Sequence, residues 1–235
     1  MVAPDGAKAW SFPLSSDEPS PASLASLSRE ERERGQGFVQ ATKRNRFVSA
    51  KSCLRELLGR HLGTAPAELE IAYGEHGKPF LSDHPELSFN LSHSDEMGAV
   101  IIGDGRAVGI DIEDTARPRS FEAIALRFFA DEERAWMTAG APVESAERFY
   151  RIWTNKEAYV KALGVGLPLD SKHHALSLEV ADTATLIRGE AQRRRPSPSG
   201  RTAHAVADDR WLFRTTLLPS GFMVSVCIAG DSGPT

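Results

Sequence analysis

The clearest hydrophobic pattern in the chain is a strict alternation over residues 108–113, Val-Gly-Ile-Asp-Ile-Glu. A period of two predicts a strand that buries its valine and isoleucines on one face and presents Asp111 and Glu113 on the other. Two carboxylates on one face repel each other unless a cation lies between them. Hard oxygen ligands without cysteine or paired histidines favour Mg²⁺ over zinc. The alternative is the solvated face of an amphipathic strand, which a short motif does not exclude.

Residues 149–163 follow a helical pattern instead. The segment lacks glycine and proline, and Gly164 behind it is a good C-terminal stop, so the sequence predicts a helix. Trp153, Glu157 and Lys161 recur at intervals of four and lie close to one stripe of that helix. A glutamate four residues before a lysine is also common on ordinary surface helices, so the stripe alone does not establish a site.

Residues 87–94 alternate as an apolar strand that leads into a Ser-His-Ser turn, and the apolar residues 98–102 follow. The pattern predicts a hairpin with His93 at its polar tip. A single histidine in a turn is usually an ordinary surface residue. No Gly-x-Ser-x-Gly elbow accompanies the Ser-His pair, which disfavours a hydrolase.

Two apolar segments, residues 97–104 and 223–231, are alike in pattern and indicate an internal duplication, although the match is short. We therefore expect two comparable halves, residues 1–105 and 106–235, joined near residues 103–105.

Composition narrows the class of protein further. With 41% hydrophobic residues in 235 positions, the chain can bury a sizeable core. It has no run long enough to span a membrane and no basic region followed by an apolar run at its start, so we expect a cytoplasmic protein.

Cys53 and Cys227 are expected to be buried thiols. A net charge of -4 argues against nucleic-acid binding, and the basic stretch 192–201, broken by proline and glycine, reads as an exposed loop.

Four blocks resemble, in order, the signature of the 4'-phosphopantetheinyl transferases of the surfactin-synthetase-activating type. The blocks are Gly-Lys-Pro at 77–79, Phe-Asn-Leu-Ser-His-Ser at 89–94, Gly-Ile-Asp-Ile-Glu at 109–113 and Trp-Thr-Asn-Lys-Glu-Ala-Tyr-Val-Lys at 153–161. The similarity extends from about Arg46 to Leu167. The resemblance implies an α+β pseudodimer of two similar halves, each a helix packed on an antiparallel sheet, with coenzyme A in the cleft between them. Because one polypeptide holds both halves, we expect a monomer.

The resemblance also implies the reaction and its residues. The phosphopantetheine arm of coenzyme A is transferred to a serine of an apo acyl-carrier or peptidyl-carrier protein, and adenosine 3',5'-bisphosphate is released. Asp111, Glu113 and Glu157 hold Mg²⁺, while Lys161 and His93 contact the pyrophosphate. Glu157 is also the candidate general base, directly or through a bound water, although a carboxylate that ligates a cation loses basicity.

Coenzyme A binding is assigned by the resemblance to a set of side chains in both halves: Arg46, Lys78, Pro79, Ser92, His93, Lys156 and Lys161. Arg46 is the first candidate for the 3'-phosphate, and Lys43 and Arg34 are further candidates. The chain departs from the family at Glu31, where a phosphate-binding lysine is expected. An acidic residue cannot bind phosphate, so the 3'-phosphate contact is expected to be rearranged.

Two other functions are compatible with the same residues. The first is a different Mg²⁺-dependent enzyme acting on a nucleotide or pyrophosphate without a carrier protein. The second is a non-catalytic module that binds carrier domains. Helices are predicted at 121–129 and 131–137, and by family analogy the exposed apolar residues of this region receive the helix of a carrier protein.

Overall fold

The computed structural model describes residues 6–117, 119–165, 172, 174–180, 183–188 and 211–230. Its helices are α1 (Pro21–Ser26), α2 (Arg29–Gln36), α3 (Ala41–Leu62), α4 (Phe121–Phe128), α5 (Asp131–Thr138) and α6 (Pro142–Leu163). Its strands are β1 (Lys8–Pro13), β2 (Ile71–Tyr73), β3 (Pro79–Leu81), β4 (Leu87–Ser94), β5 (Met97–Asp104), β6 (Val108–Asp114), β7 (Ala175–Val180), β8 (Thr183–Arg188), β9 (Trp211–Leu217) and β10 (Phe222–Ala229). The basic stretch 192–201 lies outside the described residues.

The first half is a three-stranded antiparallel sheet in the order β1-β5-β4, covered by α3. Helical periodicity places Leu54 and Leu58 on one face of α3, where they pack against Phe89, Val100 and Ile102 of the sheet. The predicted hairpin is present as β4 and β5, but His93 lies within β4 and not in the turn. The turn is shorter than predicted because Asp95 adopts the left-handed conformation with φ 47° and reverses the chain directly after Ser94.

The second half repeats this arrangement. Its sheet has the order β6-β10-β9, and α6 packs on it through Phe149, Ala158 and Ala162 against Met223 and Cys227. The predicted helix over 149–163 is thus confirmed, and it begins earlier, at a proline suited to the first helical turn.

The two sheets pack against each other through their remaining faces. Ile101 of β5, Ile110 of β6 and Val226 of β10 are fully buried in one cluster between the sheets. The molecule is therefore layered as helix, sheet, sheet, helix. The alternating valine and isoleucines of residues 108–113 lie in this cluster, as the period of two predicted, and the opposite face of β6 is covered by α6 and is not solvated.

Both halves share one chain order: a strand, short helices, a long helix, a small hairpin and two further strands. Each long helix has 22 residues and ends at a glycine in the left-handed conformation, Gly63 or Gly164. The two apolar segments that look alike in sequence are β5 and β10, the central strands of their sheets. The predicted α+β fold with two similar halves is confirmed.

Two smaller expectations concern the cysteines and the membrane. Cys53 and Cys227 are free thiols, Cys227 buried and Cys53 partly exposed, so the prediction that both are buried holds for Cys227 alone. Within the described residues, no helix combines the length and the apolar character that crossing a membrane requires.

Candidate active site

The site begins with the close contact between β6 and α6, which Gly109 permits. A Cβ atom at this position would collide with the carbonyl oxygen of Ala158 and would lie 2.6 Å from the backbone nitrogen of Ala162. A residue with a side chain would therefore hold the helix away from the strand. The contact places the acidic face of β6 against the stripe of α6 that carries Glu157 and Lys161.

Asp111 lies at the centre of this contact and is 4% exposed. Its Oδ1 accepts hydrogen bonds from Lys161 Nζ at 2.6 Å and from Ser92 Oγ at 2.9 Å. Lys161 Nζ also donates to Ser92 Oγ at 2.9 Å. Asp111 Oδ2 is buried and has no hydrogen-bond partner among the described residues. A buried carboxylate oxygen without a partner is costly, so this atom is available for a ligand that supplies positive charge.

Glu113 follows on the same face of β6 and is held by donors on both oxygens. Trp153 Nε1 donates to Oε1 at 3.1 Å, while Arg119 Nη2 at 2.5 Å and Ser94 Oγ at 3.3 Å donate to Oε2. Burial, followed by the charge of Asp111, raises the pKa of Glu113, and Arg119 acts in the opposite direction. The carboxylate of Glu113 is thus both desolvated and held in a fixed orientation.

Glu157 completes the acidic group from α6. Burial, together with the charges of Asp111 and Glu113, raises its pKa from an ordinary value of 4.5 to about 7, against the lowering effect of Lys161. The three carboxylates that the sequence predicted as metal ligands therefore lie within electrostatic range of one another. The structure brings together Asp111, Glu113, Glu157 and Lys161 from two elements that are 50 residues apart at the Asp111–Lys161 contact.

The carboxylates fit a hard divalent cation by chemistry, although they are not yet gathered around one point. Within the described residues, no three His, Cys, Asp or Glu side chains stand in an arrangement that would hold a metal ion. Oxygen donors alone suit Mg²⁺, and the Oδ2 of Asp111 supplies a ligand atom that no described residue uses. A cation would also relieve the mutual repulsion that raises the pKa values of Glu113 and Glu157.

Side chains join β4 to β6 at the junction of the two halves. Asn90 Oδ1 accepts from the backbone nitrogen of Ile110 at 3.1 Å, and Ser94 Oγ accepts from that of Asp114 at 3.3 Å. Ser92 makes the third link, to Asp111. The side chains of alternate residues of β4 thus link it to β6 where backbone hydrogen bonds would join neighbouring strands of one sheet. The predicted site residue Ser92 provides one of these links.

His93 points away from this junction at an exposed position of β4. Partial desolvation, followed by the charges of Lys161 and Lys51, lowers its pKa below the ordinary value of 6.5. The imidazole is therefore neutral at neutral pH and lies within the field of Lys161.

Lys78 reaches from the first half to the second. Its Nζ donates to the carbonyl of Ala162 at 2.7 Å and to that of Val108 at 3.3 Å. A cation suits the C-terminal end of α6, where carbonyl groups lack helical partners. Pro79, the other residue predicted from this loop, begins β3.

The prediction for Lys156 needs correction. Its ammonium group donates to both carboxylate oxygens of Glu133 at 2.9 Å and to the carbonyl of His174 at 2.7 Å, and the residue is 4% exposed. Lys156 faces α5 and β7 because it stands one position before Glu157 on the helix and so lies about 100° around its axis. It is a buried structural cation and is not brought to the carboxylates.

The structure also explains the departure at Glu31. Its carboxylate accepts from the backbone nitrogen of Ser28 at 3.1 Å and pairs with the buried Arg55 Nε at 2.5 Å. The acid caps α2 and neutralises an internal arginine, so a lysine at this position would leave that arginine without its partner.

Arg46, the first candidate for the 3'-phosphate, lies beside the β4–β5 turn. Its Nη2 lies 3.9 Å from Glu96 Oε2, and its buried Nε has no hydrogen-bond partner in the part of the chain that the structure describes. Lys43 and Arg34 are both exposed, and the guanidinium of Arg34 lies over the ring of Phe47.

Sequence reasoning missed Arg119, Ser94 and the role of Gly109. Ser94 alternates with Ser92 along β4, so the period of two carried a signal for it. Gly109 lies on the same face of the strand as Asp111 and Glu113 but has no side chain, and a glycine within a strand is a recognised sign of close approach. Arg119 lies in a connecting segment, and no periodicity connects it to Glu113.

The fold and this site together define an α+β enzyme suited to phosphate chemistry. Comparison with known proteins gives its family. Residues 107–207 match the model of the 4'-phosphopantetheinyl transferase superfamily, and residues 13–104 match that of a 4'-phosphopantetheinyl transferase N-terminal region. The chain belongs to the 4'-phosphopantetheinyl transferase superfamily.

Three relatives illustrate the extent of the similarity. The 4'-phosphopantetheinyl transferase HetI of Nostoc sp. is 35% identical over 67% of this chain and 68% of its own length. The 4'-phosphopantetheinyl transferase Sfp of Bacillus subtilis is 36% identical over 62% of this chain and 70% of its own length. A phosphopantetheinyl transferase of Thraustochytrium sp. is 27% identical over 98% of this chain and 83% of its own length. The protein is accordingly a phosphopantetheinyl transferase of a family that uses coenzyme A and acts on carrier proteins.

Proposed function

We propose that the protein transfers 4'-phosphopantetheine from coenzyme A to a serine of an apo acyl-carrier or peptidyl-carrier protein in a Mg²⁺-dependent reaction, as a monomer in the cytoplasm. The observation that carries this proposal is the contact between β6 and α6. There Lys161 pairs with Asp111, and the buried Asp111 Oδ2, near Glu113 and Glu157, has no hydrogen-bond partner among the described residues.

Asp111, Glu113 and Glu157 are the residues that hold Mg²⁺ in this proposal. When bound, the ion neutralises negative charge on the pyrophosphate oxygens of coenzyme A. The support is chemical: three desolvated carboxylates, two of them with raised pKa values, form a site that gains free energy from a divalent cation.

Lys161 and His93 contact the pyrophosphate. Lys161 Nζ is 28% exposed as a side chain and is held by Asp111 and Ser92, so its charge is fixed in place while one side remains open to a ligand. Ser92 orients Lys161 through the 2.9 Å hydrogen bond between them. His93, neutral because of its lowered pKa, donates one hydrogen bond without adding charge.

In the transfer step the carrier serine Oγ attacks the β-phosphorus of coenzyme A. A new bond forms between phosphorus and the serine oxygen, the bond to the bridging oxygen breaks, and adenosine 3',5'-bisphosphate leaves. Glu157 receives the serine proton, since it is the half-buried carboxylate of α6 that borders the pyrophosphate site. Arg46 binds the 3'-phosphate, and the supporting observation is its Nε, which has no hydrogen-bond partner in the described part of the chain. Lys78 and Pro79 line the nucleotide at the β2–β3 loop, which the side chain of Lys78 links to the second half.

The proposal is tested by intact-protein mass spectrometry of apo acyl-carrier and peptidyl-carrier proteins incubated with coenzyme A, Mg²⁺ and enzyme. We expect a gain of one phosphopantetheinyl group with wild type and none with Asp111→Ala. Asp104→Ala is the matched control, because the exposed side chain of Asp104 pairs with His61, outside the proposed site, and its loss should leave transfer unchanged. Turnover by Asp111→Ala at the wild-type rate would refute the assignment of the carboxylates.

A further inference from the structure

Arg119 is the charged residue at the site to which the transfer mechanism assigns no role. It is part of the segment between β6 and α4, and its side chain is 20% exposed where it meets Glu113. Its Nη2 donates to Oε2 of Glu113 at 2.5 Å, where Ser94 donates as well. Among the residues that the structure describes, the opposite oxygen, Oε1, accepts only from the indole N–H of Trp153, at 3.1 Å.

The two oxygens of Glu113 therefore differ in what they can still accept. A carboxylate oxygen has two acceptor sites. Oε2 uses both, one for Arg119 and one for Ser94, whereas Oε1 uses one for Trp153 and keeps one. The three donors come from three different elements and fix the plane of the carboxylate, so the remaining site on Oε1 has a defined direction.

The segment that carries Arg119 is tied down at two points shortly before it, at Thr115 and at Arg117. Thr115 binds the carbonyl of Gly221 through its backbone nitrogen at 3.1 Å and its Oγ1 at 2.6 Å. The hydroxyl of Tyr150 donates to the carbonyl of Arg117 at 2.7 Å, and the guanidinium of Arg119 lies 5.9 Å from the centre of the Tyr150 ring. Because its backbone is anchored and its guanidinium lies over a ring, the Arg119 side chain keeps its position when a ligand binds.

We propose that Arg119 is a positioning residue that holds Glu113 by Oε2 and so presents its free Oε1 acceptor site to the divalent cation. The inference rests on the proposed Mg²⁺ role of Glu113. Arg119 contacts neither coenzyme A nor the ion. Residues that orient a metal ligand in this way typically contribute about 10- to 100-fold to metal affinity.

The test is Mg²⁺ binding measured by isothermal titration calorimetry on the full chain, a readout that is independent of transfer. We expect Arg119→Gln to weaken Mg²⁺ binding about 10- to 100-fold. Arg119→Lys keeps the charge without the planar fork and should fall between wild type and Arg119→Gln. Arg117→Gln is the matched control, because Arg117 is in the same segment but forms a loose ion pair with Asp95 at 3.8 Å. The Mg²⁺ affinity of this variant should equal that of wild type.

The outcomes separate the inference from the function it rests on. If wild type binds no Mg²⁺, the metal site itself is refuted. If wild type binds Mg²⁺ and Arg119→Gln binds it equally well or more tightly, Arg119 is irrelevant to the ion or competes with it, and the inference fails. Should Arg119→Gln not fold, Arg119→Lys decides: affinity equal to that of wild type overturns the positioning role, and a loss relative to wild type supports it.

Discussion

Glu157 illustrates at the scale of one residue how function opposes stability. Its pKa of about 7 lies above the ordinary 4.5 because burial and neighbouring carboxylates penalise its charge. A group whose pKa is raised on folding stabilises the protein below its unfolded pKa, and that stability is lost as pH rises through the folded value. Without a bound cation, the ionised Glu157 carboxylate therefore lowers the free energy of unfolding above pH 7.

We predict that Glu157→Gln abolishes transfer and raises the melting temperature of the metal-free protein at pH 8. Removing the repelled charge should gain about 1 kcal/mol, or about 2–4 °C, and most of this gain should be lost at pH 5, where Glu157 of the folded wild type is protonated. Differential scanning fluorimetry in EDTA at both pH values measures it. A lower melting temperature for the variant at pH 8 would contradict the assigned repulsion.

Individual residues were predictable where periodicity placed them. The alternation of β6 predicted that Asp111 and Glu113 share a face, and the four-residue spacing of α6 placed Glu157 and Lys161 together. Lys156 was assigned wrongly because sequence order does not reveal which neighbour of Glu157 faces inwards. The direction in which Lys156 faces is set by its contact with the buried Glu133, which is 23 residues away in the sequence.

At the scale of elements, the contact between β6 and α6 decides the geometry of the site. We predict that Gly109→Ala destabilises the fold by about 1–3 kcal/mol, the usual cost of overpacking, and lowers transfer by displacing Lys161 from Asp111. Urea denaturation and the carrier assay measure the two effects. Gly74→Ala is the control, since among the described residues its Cβ would meet only the carbonyl oxygen of Lys78, at an ordinary 3.6 Å. Equal stability of both variants would show that α6 does not depend on Gly109.

The buried ion pair between α5 and α6 gives a prediction that depends on pH. Burial raises the pKa of Glu133 and lowers that of Lys156, in each case against the attraction between them. Lys156→Met leaves Glu133, 1% exposed, without this cation and should cost about 3–5 kcal/mol at pH 8. The loss should shrink as pH falls through the raised pKa of Glu133, because the protonated acid carries no charge to bury.

Thermal denaturation of Lys156→Met between pH 5 and pH 8 checks this expectation. The double variant Glu133→Gln/Lys156→Met removes both charges and should recover most of the stability. A pH-independent loss in Lys156→Met, or no recovery in the double variant, would mean that packing and not charge explains the effect.

At the scale of the whole molecule, the two halves repeat this ion pair. Arg55 and Lys156 are each the fifteenth residue of a long helix, counted from Ala41 and Pro142. Each pairs with the third residue of a short helix, Glu31 or Glu133, which also accepts from the backbone nitrogen at the start of that helix. Arg55 further binds carbonyls before β2, as Lys156 binds one before β7. The repeat identifies Lys156 as structural independently of its burial.

The repeat does not extend to the acidic site, which explains why two similar halves form one site. Aligned through their central strands, β1 has Ser11 opposite Ala99 where β6 has Asp111 opposite Ser225. By the same alignment, Pro13 of β1 corresponds to Glu113 of β6. The first half therefore lacks the carboxylates and contributes Ser92 and His93 from β4 instead.

The sequence predicted the class of fold and the duplicated central strands, but not the face-to-face packing of the sheets. That packing depends on β5, β6 and β10 being buried on both sides, and continuous apolar runs do not say what covers each face. The short helices before each long helix were only partly predicted, since α1 and α2 are set by serine caps and polar residues more than by apolar spacing.

The most direct test of the account is the metal dependence of transfer by the wild-type protein, followed by intact-protein mass spectrometry of an apo carrier. We expect the gain of one phosphopantetheinyl group with coenzyme A and Mg²⁺, complete loss of the gain in EDTA, and recovery when Mg²⁺ is restored. Transfer that proceeds undiminished in EDTA would contradict the central claim that the carboxylates of β6 and α6 form a divalent cation site.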